Sequence, residues 1–293
     1  MLSILIPTYH YNAYPLALEI EQQALATGIK FELICIDDGS FSHLNVENQK
    51  INTLTNCKFI EAKQNAGRTK TRQLLAESAQ YSCLLFLDAD VMPTTGTFIK
   101  KLLNEYNKSY DVIFGGIAYE ENKPVANKLL RWNYGKKRET KTVSTREKIP
   151  YLSILSGGFC IKKALFVMIN SKFLQNAYGL DILFTRELRK AKTRVKHIDN
   201  PLYHLGIENN EVFLEKTKKA LDTLYLLKKQ NTISDANKLL KSFKLLKTIG
   251  LSSTFGKIIK TNEAKIERNL MSETPNLFLF DLYRLGYFCR IRS

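Results

Sequence analysis

The sequence predicts an α/β protein: a mainly parallel, doubly wound sheet flanked by helices, followed by a helical C-terminal extension. Three observations carry this expectation. In the first 120 residues, short apolar runs alternate with amphipathic stretches of helix length. Each apolar run stops at polar or turn-forming residues, as strand ends do. From residue 211 onward, leucines recur at helical spacing among lysines.

The elements follow in order. LSILIPT (2–8) is a strand ended by Pro7, and residues 14–27 carry Leu16, Ile20 and Ala24 at helical spacing. FELICIDDGS (31–40) is a second strand running into a turn, and CKFIEAK (57–63) is a short third. AGRTKTRQLLAESA (66–79) is a helix with Asn65 as its expected cap. SCLLFLDAD (82–90) is a fourth strand, residues 95–107 a helix, and YDVIFGGIAY (110–119) a fifth strand. Helices of about 10–15 residues between strands imply parallel pairing. Residues 123–148 are basic and weakly periodic, which reads as a helix and then a loop. YLSILSGGFCIKKALF (151–166) gives a strand holding Gly157-Gly158, then a further strand or helix. AYGLDILFTRELRKAK (177–192) is a helix, and RVKHIDNPLYHLG (194–206) a strand closed by Asn200-Pro201. Residues 211–230 form an amphipathic helix with Leu214, Leu221, Leu224 and Leu227 inward. The aromatic tail NLFLFDLYRLGYFCRIRS (276–293) is expected to dock rather than hang free. The expected division is residues 1–210 as one domain and 211–293 as a basic helical extension.

The 293 residues suffice for a sizeable core, and 44% hydrophobic with 11% aromatic residues marks a globular chain. The five cysteines are scattered without a C-x-x-C pair, which points to a reducing compartment and no structural zinc. No basic leader precedes LSILIPT and no run approaches the length of a membrane span, so a cytoplasmic protein is expected, or one held on the inner face of the cell membrane. The net charge of +16 is uneven: residues 1–122 carry 10 Lys and Arg against 14 Asp and Glu, and residues 211–293 carry 16 against 8. A basic second half suits phosphate-bearing partners, among them anionic lipid headgroups and phosphorylated substrates. Nucleic-acid binding would rest on charge alone, since no recognition motif is present.

In doubly wound sheets ligands bind at the carboxyl ends of the strands. Pro7-Thr8-Tyr9, Asp37-Asp38-Gly39-Ser40 and Asp88-Ala89-Asp90 all fall where a strand has just ended. Asp88 and Asp90 are two residues apart, so an extended backbone puts them on one side, where two carboxylates need a cation between them. Oxygen ligands beside phosphates favour Mg2+ or Mn2+. Arg68 and Arg72 lie one helical turn apart, and guanidinium groups suit a diphosphate.

ILIPTYHYNAYPLALEI, ICIDDGS, NAGRTKTRQLLAESAQYSCLLFLDADVMP, YGLDILFTREL and HIDNPLYHLG, in this order over residues 1–210, resemble the family 2 glycosyltransferases, inverting enzymes of the GT-A fold. The resemblance implies that Pro7, Thr8, Tyr9 and Asp37 hold the nucleotide of a nucleotide sugar, with Asp38 supporting the turn. It places a basic residue at Arg72 and, less directly, Arg68, and makes Asp88-Ala89-Asp90 the site of the diphosphate and its Mn2+ or Mg2+. Asp181 matches the base that takes the acceptor proton, although Leu180 stands where many relatives carry a second acid. His204 answers to a third metal ligand or a phosphate contact. Gly157 and Gly158 would let an acceptor lie against the backbone, and Trp132 would line its groove. The implied partners are a nucleotide sugar, expected to be a UDP-sugar, and a glycan or lipid-linked acceptor in cell-surface polysaccharide synthesis. The basic C-terminal helices would meet an anionic membrane surface.

Two rivals stand beside this reading. LLFLDADV also resembles the strand of a haloacid-dehalogenase-type phosphatase, in which Asp88 would be phosphorylated and Asp90 would act as acid and base. A non-catalytic binding module of the same fold is the other.

Overall fold

The protein is described from a computed structural model covering residues 1–106, 110–152, 154–173, 179–230 and 238–291. The chain forms two compact units, one of Met1–Tyr119, Thr140–Asn176 and Phe184–Gly206, the other of Glu120–Glu139, Ala177–Leu183 and Ile207–Ser293.

The first unit is built on strands that bury both faces. β1 (Leu2–Thr8), β2 (Phe31–Asp37), β3 (Cys57–Glu61) and β4 (Cys83–Leu87) pair in parallel in the order β3-β2-β1-β4. The connections run through α1 (Tyr14–Ala26), α2 (Asn45–Asn48) and α3 (Arg68–Ser78). Every residue of β4 is buried, which its unbroken CLLFL run requires. β1 has β2 on one side and β4 on the other, so the strand order reverses there and a crevice opens beyond their carboxyl ends.

The expected fifth strand is two strands. After β5 (Val91–Pro93) and α4 (Phe98–Tyr106), β6 (Val112–Phe114) joins the large sheet, and β7 (Ile117–Ala118) joins a second sheet. The break falls at Gly115-Gly116: a Cβ on Gly115 would stand 2.0 Å from the Asn200 carbonyl oxygen, and Gly116 has φ +102°. β8 (Gly158–Lys162), α7 (Lys163–Asn170) and α8 (Asp181–Lys190) follow. The segment 194–206 splits in the same way, into β9 (Val195–His197) parallel to β6 and β10 (Leu202–His204) parallel to β7. Two chain segments thus change sheets side by side. β8 runs antiparallel to β4 and β6, completing the order β3-β2-β1-β4-β8-β6-β9, and the small sheet is β5-β10-β7.

Arg146 fastens this crossing. Only 3% exposed, it lies in α6 (Val143–Glu147) and donates to the carbonyls of Phe114, Gly115 and Ile198, at 3.0, 3.2 and 2.9 Å. Those carbonyls belong to the two segments that lead into the small sheet, so the arginine fixes where β10 is delivered.

The second unit is helical: α5 (Leu129–Tyr134), α9 (Asn210–Lys229), α10 (Lys238–Thr248), α11 (Ser252–Thr261), α12 (Glu263–Leu270) and α13 (Leu277–Arg290). Leu130 packs with Phe213, Ile259, Phe280 and Tyr283. Residues 120–139, expected with the sheet domain, therefore belong to this unit. The aromatic tail is α13, whose Phe280, Tyr283 and Phe288 are each at most 1% exposed. No described helix is long and apolar enough to cross a membrane.

Candidate active site

Three polar strand ends meet at the reversal. In the β1–β2 register Thr8 faces Asp37, and Asp38 N–H donates to the Thr8 carbonyl at 3.0 Å. β4 lies on the other flank of β1 with Leu5 opposite Phe86, so Asp88 leaves the sheet at the same rim.

The adjacent acids of the Asp37-Asp38 turn have different work. Asp38, 5% exposed, accepts from Ala66 N–H on one carboxylate oxygen and Gly67 N–H on the other, both at 2.8 Å. It thereby holds the start of α3. The expected cap Asn65 instead donates from Nδ2 to the Asp38 carbonyl at 3.0 Å, and Gly67, with φ +87°, occupies the cap position. Gly39, at φ +66°, is required here: a Cβ would stand 2.4 Å from the Gln64 carbonyl carbon. Asp37 is 1% exposed, and its Oδ2 accepts from Ser40 N–H at 2.8 Å. Its Oδ1 is buried with no hydrogen-bond partner among the described residues. A buried acceptor without a donor costs about 1–3 kcal/mol, which a ligand N–H would recover.

On β1, Pro7 is half-buried, and Thr8 is buried and donates to the Tyr11 carbonyl at 3.1 Å. Tyr9 is 51% exposed with its ring edge-on to His10, 4.5 Å between centroids. Tyr11 was not anticipated. Burial and the nearby charge of Asp90 push its phenol above the ordinary value. Phe41, directly after the Asp-Asp-Gly-Ser turn, was also missed. It is 78% exposed and held at φ +52°, a conformation that bulky side chains rarely adopt.

Asp88 is clamped by two arginines. Arg72 Nη2 reaches Asp88 Oδ1 at 2.5 Å and the Ser156 carbonyl at 2.6 Å, with the guanidinium against the rings of Phe86 and Phe159. Arg68 pairs with Asp88 Oδ2 and donates to Ser156 Oγ at 3.0 Å. Arg72 is 8% exposed at its side chain and Arg68 47%, so one is fixed and the other lies at the surface. Asp88, expected to share a metal ion with Asp90, thus has both oxygens in ion pairs. Ala89 between the acids is buried.

Asp90 faces the small sheet. Its carbonyl accepts Leu205 N–H at 2.8 Å, and its Oδ2 lies 3.4 Å from His204 Nε2. Burial pushes the carboxyl upward, but the His204 hydrogen bond and the charges of His204 and Arg68 outweigh it and hold the group below the usual carboxylate range. Gly206 completes the wrap, since a Cβ there would stand 2.1 Å from Asp90 Oδ2.

A carboxylate oxygen and an imidazole nitrogen converging at this distance fit a divalent ion, Mn2+ above Mg2+ because of the nitrogen. No group of three or more His, Cys, Asp or Glu among the described residues could hold one. The remaining ligands would be water and phosphate oxygens. His204 Nδ1, which a metal-bound imidazole ordinarily gives to an acceptor, is buried without a partner among the described residues.

Three expected site residues do other things. A Cβ on Gly158 would lie 2.2 Å from Leu202 Cδ1, and one on Gly157 3.2 Å from Ile117 Cδ1. These glycines let the two sheets pack closely; Gly158 is buried and Gly157 half-buried. Trp132 is 7% exposed, and its indole N–H donates to the Glu120 carbonyl at 3.0 Å, so it is a packing residue of the second unit. Asp181 is the exposed first residue of α8 and belongs to that unit. The helix dipole favours an acid at that position.

The sequence profile described as Glycosyl transferase family 2 matches residues 3–164, more than half of the chain. The chain belongs to glycosyl transferase family 2. No curated protein matches it. Among solved structures, S. aureus TarS 1-349 in complex with UDP-GlcNAc is 17% identical at a TM-score of 0.51, with 98% of this chain and 89% of that one covered. Glucosyl-3-phosphoglycerate synthase from Mycobacterium tuberculosis, solved with Mn2+, UDP and glucosyl-3-phosphoglycerate, is 14% identical at a TM-score of 0.49, covering 76% and 78% of the two chains. The fold is that of the GT-A glycosyltransferases, a mainly parallel sheet flanked by helices, here with a helical C-terminal region. The family is one of transferases.

Proposed function

We propose that this glycosyltransferase moves a sugar, with inversion, from a UDP-sugar to a hydroxyl of a glycan or lipid-linked acceptor in cell-surface polysaccharide synthesis, at the inner face of a membrane. The observation that carries the donor half is Asp37 Oδ1, a buried acceptor without a partner at the strand-order reversal. A uracil N3–H supplies the missing donor, and the exposed Tyr9 ring offers a flat surface beside it. UDP as the nucleotide draws support from TarS, the same fold solved with UDP-GlcNAc.

In the proposed reaction the acceptor oxygen forms a bond to the anomeric carbon as the bond from that carbon to the diphosphate breaks. Asp181 takes the acceptor hydroxyl proton as general base. Arg68, at the surface, turns part of its charge from Asp88 toward the leaving diphosphate, while Arg72 keeps Asp88 in place. Asp90 and His204 would hold a divalent ion, which supplies charge neutralisation on the leaving group.

The test is a UDP-release assay over a panel of UDP-sugars and acceptors with the wild type and Asp181→Asn. The variant should bind UDP as the wild type does and lose at least about a hundredfold in transfer. Undiminished transfer by the variant removes Asp181 from the mechanism. Absence of UDP binding by the wild type removes the donor assignment.

A further inference from the structure

The second unit carries a surface that the transfer reaction does not use. α10 buries Leu240 and Phe243, at 0% and 3% exposure, and turns Lys238, Lys241 and Leu245 outward on the opposite face. Its helical hydrogen bonding continues to Ile249, one turn beyond Leu245 on that face. Gly250 at φ +73° then closes the helix, and Leu251 leads into α11. Leu245 is 63% exposed, Ile249 54%, Leu251 49% and, on α11, Ile258 56%. Four large aliphatic side chains are thus left in water over two consecutive helices.

The charge around them has one sign. Residues 238–261 contain six lysines, no arginine and no acid. Lys260 is paired with Glu263, whereas Lys238, Lys241, Lys247 and Lys257 have no acidic partner among the described residues. Exposed aliphatics set among unspent lysines are what an anionic bilayer surface binds: the side chains enter the headgroup boundary and the ammonium groups meet lipid phosphates.

Two other occupants fit less well. Nucleic-acid sites favour arginine forks and stacking aromatics, and the two aromatics of this stretch, Phe243 and Phe255, face the unit's interior. A second copy meeting the same surface in a symmetric contact would bring lysines against lysines. We infer that the α10–Gly250–α11 corner is a docking surface for an anionic lipid bilayer, with Leu245, Ile249 and Leu251 as its apolar contacts. The inference rests on the membrane-side placement proposed above and supplies the surface for it.

The experiment is flotation of the full chain with vesicles of phosphatidylcholine alone and with phosphatidylglycerol added. The wild type should float with the anionic vesicles only, and high salt should weaken it. Lys241→Gln should cost about fivefold in vesicle affinity, and with Lys247→Gln added about twenty-five-fold. Leu245→Ser with Ile249→Ser should cost about tenfold or more. All these positions are exposed, so the variants should melt with the wild type and keep its UDP-induced stabilisation. Equal flotation on neutral vesicles overturns the proposal, as does flotation that the variants leave unchanged. So does a wild-type dimer that the leucine and isoleucine substitutions split while vesicle binding stays absent, or retention by a single-stranded RNA column without vesicle binding. Loss of flotation with UDP binding intact refutes nothing about the transfer reaction, and loss of UDP binding with flotation intact refutes nothing about the docking surface.

Discussion

Asp37 and Asp38 are neighbours of the same residue type, both buried, and replacing each with Asn should have opposite consequences. Asp38 accepts two backbone N–H groups on two oxygens at 2.8 Å. An amide accepts on one atom only and turns an NH2 toward the other donor. Asp38→Asn thus loses one charge-assisted bond, weakens the second and leaves a peptide N–H facing a donor. Together these cost about 2–4 kcal/mol. For a chain of this size that lowers the melting temperature by about 3–7 °C. Asp37 has one oxygen on Ser40 N–H and the other without a partner among the described residues. In Asp37→Asn the amide oxygen keeps the Ser40 contact, the NH2 takes the unpartnered position, and a buried charge is removed. Stability should stay within about 1 kcal/mol of the wild type. The N–H acceptor for the base is gone, however, and UDP affinity should fall about 10–100-fold. Thermal melts with and without UDP read both effects. Equal destabilisation by the two substitutions, or UDP affinity untouched by Asp37→Asn, refutes the division of labour.

Three further outcomes follow from local geometry. Phe41→Asn should raise stability by about 0.5–1 kcal/mol, because Asn tolerates the left-handed backbone and the 78% exposed ring has little packing to lose; a lower melting temperature contradicts this. Gly206→Ala must displace the Asp90 carboxylate, so any Mn2+-dependent gain in UDP affinity should disappear at a stability cost of about 1–3 kcal/mol; isothermal titration with and without Mn2+ checks it. Arg72→Lys keeps the charge but loses the planar guanidinium that lies against Phe86 and Phe159 while it holds Asp88, and should lower stability by about 1–3 kcal/mol in a denaturant titration.

The strand ends were legible because they depend on neighbours in the chain. An apolar run that stops at Thr8, Asp37 or Asp88 announces a strand leaving the core, and alternation with helices announces parallel pairing. The separate tasks of Asp37 and Asp38 were not legible, since Ala66 and Gly67 reach Asp38 from 28 and 29 residues away. Gly157 and Gly158 look like an open backbone in sequence; only the approach of Ile117 and Leu202 from the small sheet makes them packing residues. That sheet was itself hidden, because β7 has two residues and β10 three, too few to show a period. Trp132 read as a groove-lining aromatic because its basic neighbours masked the core that Leu130 enters. Asp88 and Asp90 looked equivalent by spacing, and only Arg68, Arg72 and His204, from distant segments, divide them into a clamped acid and a candidate metal ligand.

The central claim is that Asp37, Asp90 and His204 form one end of a UDP site completed by a divalent ion. The measurement that meets it most directly is the UDP-induced rise in melting temperature, taken with and without Mn2+, for the wild type and for Asp90→Asn. The account predicts that UDP stabilises the wild type more with Mn2+ than without, as mass action on the folded state requires, and that Asp90→Asn erases the difference. A wild type whose melting temperature ignores UDP in the presence of Mn2+, or an Asp90→Asn variant with the full Mn2+ effect, contradicts it.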